Sequence, residues 1–274
     1  MAENQKAKEQ TKGKNPGIEK LSQPEDSHIG KTIAVMSGKG GVGKSSVASL
    51  LAVALARAGF KVGLLDADIT GPSIPKLFGL NGKAEVMNEK MIPPQSKLGI
   101  KIISLNLLLP NEDDPVIWRG PLIGGAVKQF WTDVVWGEID YLVVDLPPGT
   151  GDSPLTVLQS LPLNGLVIVS SPQDLAIMVV KKAIKMARMM KVPILGLVEN
   201  MSGLICPHCG KEIEIFGVSK ADEVAAATGI KLLARLPLDP EMSKLGDDGK
   251  IEDYPVEVFE DINLIIDSAT GETN

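Results

Sequence analysis

The chain has 274 residues, enough to bury roughly 70–75% of its unfolded surface, so a self-sufficient core is expected in one large domain or two small ones. Hydrophobic residues make up 44% of the chain and aromatics only 4%, which predicts an aliphatic core; 28 glycines point to many tight turns or backbone-lined binding loops. The net charge is −6, and residues 1–31 hold six Lys against five Asp/Glu, so the acidity lies beyond them and argues against bulk attraction to nucleic acid or anionic lipid.

Residues 1–30 mix charges with Gly, Pro, Ser and Gln without periodicity, and read as a disordered polar tail ahead of a domain over 31–274. They contain no apolar h-region, and no later segment reaches 18 uninterrupted apolar residues, so neither a signal peptide nor a membrane span is expected and the protein reads as cytoplasmic. From Thr32 short apolar runs recur at 32–37, 61–67, 100–105, 140–146, 165–171, 193–200 and 231–238. Continuous rather than alternating runs are what a parallel sheet covered on both faces requires. Val47, Leu50, Leu51, Ala54, Leu55 and Ala58 form one apolar helix face between the first two runs, and further helices are predicted over 121–136, 152–161, 174–190, 218–228 and 255–267. With no internal repeat and no dividing linker, the expectation is one α/β domain with a doubly wound, mostly parallel sheet.

The first strand runs directly into Gly38-Lys39-Gly40-Gly41-Val42-Gly43-Lys44-Ser45 and then a helix, the strand–loop–helix setting of G-x-x-x-x-G-K-[ST]. Its glycines let backbone N–H groups wrap a phosphate, Lys44 reaches the β/γ-phosphates, and Ser45 can ligate Mg²⁺. Lys39 is additional to that motif, and its bland alternative is a solvated surface charge. The second strand ends in Asp66-Ala67-Asp68 followed by Ile-Thr-Gly-Pro-Ser73, which is either an ordinary turn or a pair of carboxylates ordering water or metal beside the loop. In YLVVDLPPGTGD, Asp145 ends an apolar strand where a carboxylate holds Mg²⁺ through its water shell, Gly149 lies where a γ-phosphate would meet a backbone N–H, and Asp152 is suited to cap the next helix. Asn200 ends a later strand.

Residues 203–216 carry Cys206-Pro-His-Cys209-Gly, the chain's only cysteines, leading into a short alternating strand. A turn of this kind aims two thiolates at one point, whereas tetrahedral zinc and iron–sulfur clusters commonly take four; a symmetric dimer supplies the rest. A bridging cluster, a shared zinc, and a redox or structural thiol pair are the three readings, and the absence of a thioredoxin-like helix after the motif counts against redox chemistry. His208 reads as a surface residue. Met178, Met186, Met189 and Met190 sit on a lysine-rich helix, as packing residues or as an adaptable partner surface. Trp118-Arg-Gly-Pro121 suits the start of a helix.

SGKGGVGKS, with its second lysine, resembles the deviant Walker A group of P-loop ATPases, which includes MinD, ParA, the nitrogenase iron protein and the Mrp/ApbC iron–sulfur carriers. DADITGPS, DLPPGTGD and WRGP resemble the Mrp/ApbC branch in particular, and the likeness spans about 32–268. It implies the fold of that group and an ATPase that binds a labile iron–sulfur cluster, [4Fe–4S] by preference, between two copies of the chain and passes it to apoproteins. It further implies that Lys39 acts across the dimer on the partner's phosphates, Asp68 positions the attacking water, Asp66 lies near the metal, Gly38 to Ser46 bind phosphate, Asn200 reads adenine and Pro237 belongs to a loop closing over the base. The rivals are a MinD- or ParA-like spatial organiser and a zinc-stapled nucleotide switch. The first would need a basic amphipathic terminal helix or a basic surface, against an acidic FEDINLIIDSATGETN ending and an acidic core, so neither membrane nor nucleic acid is expected as a partner. No folded domain is expected before the phosphate loop, nor any four-cysteine motif near the start, so any cluster depends on Cys206 and Cys209.

Overall fold

The computed structural model describes residues 21, 23, 26–68, 71, 73–81, 83–104, 107, 120–173, 177–206, 208–256, 259 and 265. Along the chain run β1 (Ser27–Ser37), α1 (Lys44–Arg57), β2 (Val62–Asp66), α2 (Ile74–Leu77), β3 (Glu85–Met87), β4 (Lys90–Ile92) and β5 (Lys101–Ser104). There follow α3 (Gly120–Thr132), β6 (Gly137–Asp145), α4 (Asp152–Ser160), β7 (Gly165–Ser170), α5 (Ile177–Met189) and β8 (Ile194–Asn200). The described part closes with β9 (Leu204–Ile205), β10 (Glu212–Ile213), α6 (Ala221–Thr228), β11 (Leu232–Leu236), α7 (Pro240–Asp247) and a 3₁₀ turn at Ile251–Asp253.

Seven strands form one sheet in the order β11-β8-β7-β1-β6-β2-β5, every pairing parallel. These are the seven apolar runs of the sequence. Successive side chains serve opposite faces: Ile33 and Val35 join the core under α1 with Leu50, Leu51 and Leu55, whereas Ala34 and Met36 join the core under α3 to α6 with Trp131, Val180 and Val224. Chain connections leave β1 in both directions across the sheet, which puts the loops after β1, β2 and β6 at one carboxyl edge, where open α/β sheets bind ligands. Register brings Asp145 beside both Val35 and Asp66.

Several expectations need correction. β1 starts at Ser27, inside the stretch read as tail, because Ser27 to Ile29 pair with Gly137 to Ile139 and Ile29 is buried; the alternation of Ser27-His28-Ile29-Gly30 hides this from a search for apolar runs. α1 is buried well beyond one face, with Ala48, Ala52 and Val53 also covered. Gly151, not Asp152, occupies the cap position of α4, and Asp152 lies in the first turn, where its charge suits the positive helix end. The short helices α2 and α7 and the β3–β4 hairpin were not anticipated, α6 begins at Ala221 rather than 218, and most of the helix expected over 255–267 lies outside the described residues, as do Trp118 and Arg119.

Candidate functional site

The loop between β1 and α1 bends where only glycine fits comfortably. Gly43 has φ +74°, and a Cβ there would overlap Nδ2 of Asn200, which donates to the Val42 carbonyl at 2.9 Å. The end of β8 is thereby strapped to the phosphate loop. Gly40, Gly41, Gly43, Lys44, Ser45 and Ser46 line a cavity of about 270 Å³ together with Ser37, Asp68, Ser73 and Pro148. Val42 is buried behind it, Lys39 is exposed, and Gly38 packs against Val179 of α5, whose Cγ1 a Cβ on Gly38 would overlap. Gly43 caps α1 without any side-chain hydrogen bond, and no acidic residue stands in the first turn of α1, so the helix itself supplies no negative charge against the partial positive charge of its N-terminus.

Beneath the loop, Lys44 Nζ donates to Asp145 Oδ1 at 2.6 Å and lies 3.8 Å from Asp68 Oδ2, while Ser45 Oγ donates to Asp145 Oδ2 at 2.5 Å. Asp66 accepts from the backbone N–H of Asp68 (3.1 Å) and of Ile74 (3.4 Å) and from Ser104 Oγ (3.2 Å). Burial, then the neighbouring Asp145 and Asp68 charges, raise Asp66 to about 8 against the pull of Lys44. Burial raises Asp145 as well, opposed by its bonds to Lys44 and Ser45. Three carboxylates thus crowd around the Lys44 ammonium, with a hydroxyl beside them. An all-oxygen donor set with excess negative charge fits Mg²⁺, and Ser45, Asp66 and Asp145 are the residues that would hold it.

The raised Asp66 value has a consequence for stability. The fold favours its protonated form, so its contribution is complete below the ordinary carboxylate range and is lost as pH rises toward 8. In metal-free buffer Asp66→Asn should therefore gain thermal stability relative to the wild type progressively from pH 5 to pH 8. Melting curves across that range check this, and a pH-independent difference would refute it.

Gly149 adopts φ +90°, and its N–H donates to the Ser37 carbonyl at 3.1 Å, so contact with a γ-phosphate requires exchange of that bond. Asn200 is buried, and its Oδ1 has no hydrogen-bond partner, an orphan acceptor suited to an amino group such as that of adenine. Pro237 is half-buried just after β11; the adjoining Asp239 caps α7 through Glu241 N (2.8 Å) and accepts from Tyr254 Oη (2.9 Å). The Gly203 carbonyl accepts from Leu238 N (2.7 Å), linking this loop to the segment that leads to Cys206. Sequence reasoning missed Ser37, whose buried Oγ also lacks a partner, and Ser73 and Pro148 in the cavity wall. It also missed Glu199, fully buried and raised by that burial, which accepts from Ser219 Oγ and pairs with Arg235. A carboxylate ending an apolar strand was the available signal.

The cysteines sit at the tip of the β9–β10 hairpin. Cys206 N donates to the Lys211 carbonyl and Gly210 N to the Cys206 carbonyl, both at 2.9 Å, and Gly210 takes φ +68° to close the turn. Backbone N–H groups of His208 and Cys209, and the Cys209 thiol, point at the Cys206 sulfur and hold its pKa below the ordinary thiol range, favouring thiolate. Cys209 and His208 are exposed, and Ile205, Ile213, Ile215 and Val218 stand exposed around them. Among the described residues no group of three or more His, Cys, Asp and Glu is arranged to hold a metal.

Residues 28–267 match the family model of NUBPL iron-transfer P-loop NTPases, which covers most of the chain. The chain belongs to this family. It is 48% identical over 238 residues to the iron-sulfur cluster carrier protein of Clostridium perfringens, covering 84% of each chain, and 46% identical over 243 residues to that of Methanocaldococcus jannaschii, covering 85% of this chain and 84% of that one. Among solved structures, a nucleotide-binding protein of Archaeoglobus fulgidus in complex with ADP matches with TM-score 0.78 and 50% identity over 85% of this chain and 92% of that one. The cell division ATPase MinD of Pyrococcus furiosus matches with TM-score 0.56 at 20% identity, over 89% of this chain and all of that one, and shares the doubly wound fold. Among the described residues no helix is long and apolar enough to cross a membrane.

Proposed function

We propose that this family member is a cytoplasmic, ATP-hydrolysing carrier that holds an iron–sulfur cluster, of [4Fe–4S] type, between two copies of itself and delivers it to apoproteins. The observation that carries the reading is the hairpin tip: two thiols held together, one biased toward thiolate, with no further protein ligand beside them among the described residues. A second copy completes a four-thiolate site about a twofold axis. The relatives named as cluster carriers support it.

In this reading Gly38 to Ser46 wrap the phosphates and Lys44 neutralises the β/γ charge. Asp68 orients the attacking water, and a bound Mg²⁺ on Ser45, Asp66 and Asp145 supplies further neutralisation. A nucleotide phosphate would compete with Asp145 for Lys44, and a carboxylate relieved of the ammonium would be able to hold the cation. Gly149 meets the γ-phosphate, Asn200 offers Oδ1 to the base, and Pro237 stands in the loop over it.

Anaerobic reconstitution followed by iron, sulfide and native-mass measurement tests the cargo: iron and sulfide on a dimer support the reading, and zinc alone overturns it. Lys39, exposed on the loop, is assigned to the partner's phosphates. Mixing Lys39→Ala with Asp68→Ala chains should restore part of the ATPase rate, since one site of each mixed dimer regains both groups. A mixture never exceeding the sum of its parts counts against action in trans.

A further inference from the structure

Helix α5 divides its side chains cleanly. Val180, Ala183, Ile184 and Ala187 face the core, while Met178, Lys181, Lys182, Lys185, Arg188 and Met189 form the outer stripe. Met178 and Met189 are 68% and 66% exposed and stand eleven residues apart, about 16 Å along the axis. Between α5 and Ala227 and Thr228 of α6 lies a hollow of about 540 Å³, and an adjoining one of about 440 Å³ shares Lys181 and Lys185. Residues 177–198 carry five cations and no acid, in a chain of net charge −6, and among the described residues none of the four basic residues on α5 makes an ion pair.

We infer that the α5–α6 groove is a docking site for an acidic amphipathic helical segment of a partner protein. Cations in the middle of the stripe call for carboxylates, and methionines at its two ends, with Ile184 and Ala227 in the groove, call for apolar side chains that a nucleic-acid backbone lacks. A membrane surface is the poorer match, since the apolar face of α5 is turned inward and its outer face offers only two methionines to lipid. The chain's own ends do not fit. Phe259 and Ile265, in the acidic C-terminal stretch, are buried in the core on the opposite face of the sheet, and residues 1–20 hold five Lys against three Glu. This site stands apart from the cluster cargo, yet it bears on the nucleotide: Val179 of the same helix packs against Gly38, so a segment seated on α5 presses on an element that touches the phosphate loop.

The test uses the full chain and a fluorescein-labelled 18-residue helical peptide of Leu, Ala and Glu, with anisotropy read at low and moderate salt. The wild type should bind saturably and more weakly as salt rises. Lys181→Glu/Lys185→Glu/Arg188→Glu should weaken binding about tenfold or more, and Met178→Ser/Met189→Ser by several fold, with melting temperature and basal ATPase unchanged in both. Three results overturn the inference: equal binding by wild type and variants, a charge effect with no methionine effect, or tighter binding of a single-stranded oligonucleotide or of phosphatidylserine vesicles than of the peptide. Loss of a wild-type dimer in the charge-reversed variant would instead seat a second copy in the groove and likewise overturn it.

Discussion

Asp68→Ala is expected to leave Mg·ATP bound while slowing its hydrolysis by about two orders of magnitude or more, the usual scale for a group that positions or deprotonates water. Asp68 is 8% exposed and lines the cavity of the β1–α1 loop, 3.8 Å from Lys44, without being part of the loop itself. Lys44→Ala should behave differently. It removes the cation from the β/γ-phosphates and also strands Asp145, which is fully buried and paired with Lys44 at 2.6 Å; an uncompensated buried charge costs roughly 3–5 kcal/mol. Nucleotide affinity and melting temperature should both fall in that variant, whereas Asp68→Ala keeps both. Single-turnover cleavage, equilibrium binding of a fluorescent ATP analogue and thermal melts separate the two cases. Unchanged cleavage in Asp68→Ala, or intact ATP affinity in Lys44→Ala, would remove the assigned roles.

What the sequence made legible follows from how local the physics is. All seven sheet strands could be read because a parallel strand covered on both faces is apolar at every position, as in Leu142 to Val144 and Leu166 to Val169. The start of β1 could not, since Ser27 is held by its pairing with Gly137 and its hydroxyl accepts from Trp136 N, a bond spanning 109 residues. The phosphate loop is a contiguous motif and was found whole. By contrast, the raised Asp66 value depends on the register that sets it beside Asp145, and the Asn200 strap depends on Val42, 158 residues away. Carboxylates at strand ends were visible one at a time; their crowding around Lys44 exists only once β2 and β6 pair. The exposed methionine and lysine stripe of α5 was readable as two alternatives, and only the burial of Val180 and Ile184 decides which residues turn outward.

The hairpin cysteines yield the other large effect. Cys206→Ser or Cys209→Ser should each abolish cluster loading, because every chain contributes two thiolates and a single substitution in a symmetric dimer removes two of the four. Serine keeps the shape of the turn: the bonds that close it, Cys206 N to the Lys211 carbonyl and Gly210 N to the Cys206 carbonyl, involve backbone atoms alone. The sulfur-directed N–H groups of His208 and Cys209, however, would then face a hydroxyl that stays protonated and ligates iron poorly. ATP binding should persist in both variants, since no cysteine lines the phosphate cavity and the loop is fixed by β1, α1 and Asn200. Iron, sulfide and native mass, measured together after anaerobic reconstitution, should give one cluster per two chains for the wild type and none for either variant. A stable cluster on a monomer would break the link between cargo and dimer, and undiminished loading in the serine variants would move the cargo off the hairpin altogether. Because the hairpin hangs from Gly203, whose carbonyl holds the Leu238 N–H of the loop beside the proposed base site, the same variants also report on coupling. If nucleotide and cluster share that lever, ATP should change the rate at which a chelator strips iron from the wild-type dimer, and loosening the lever by Leu238→Pro, which deletes the donating N–H, should weaken that dependence while leaving both thiols in place.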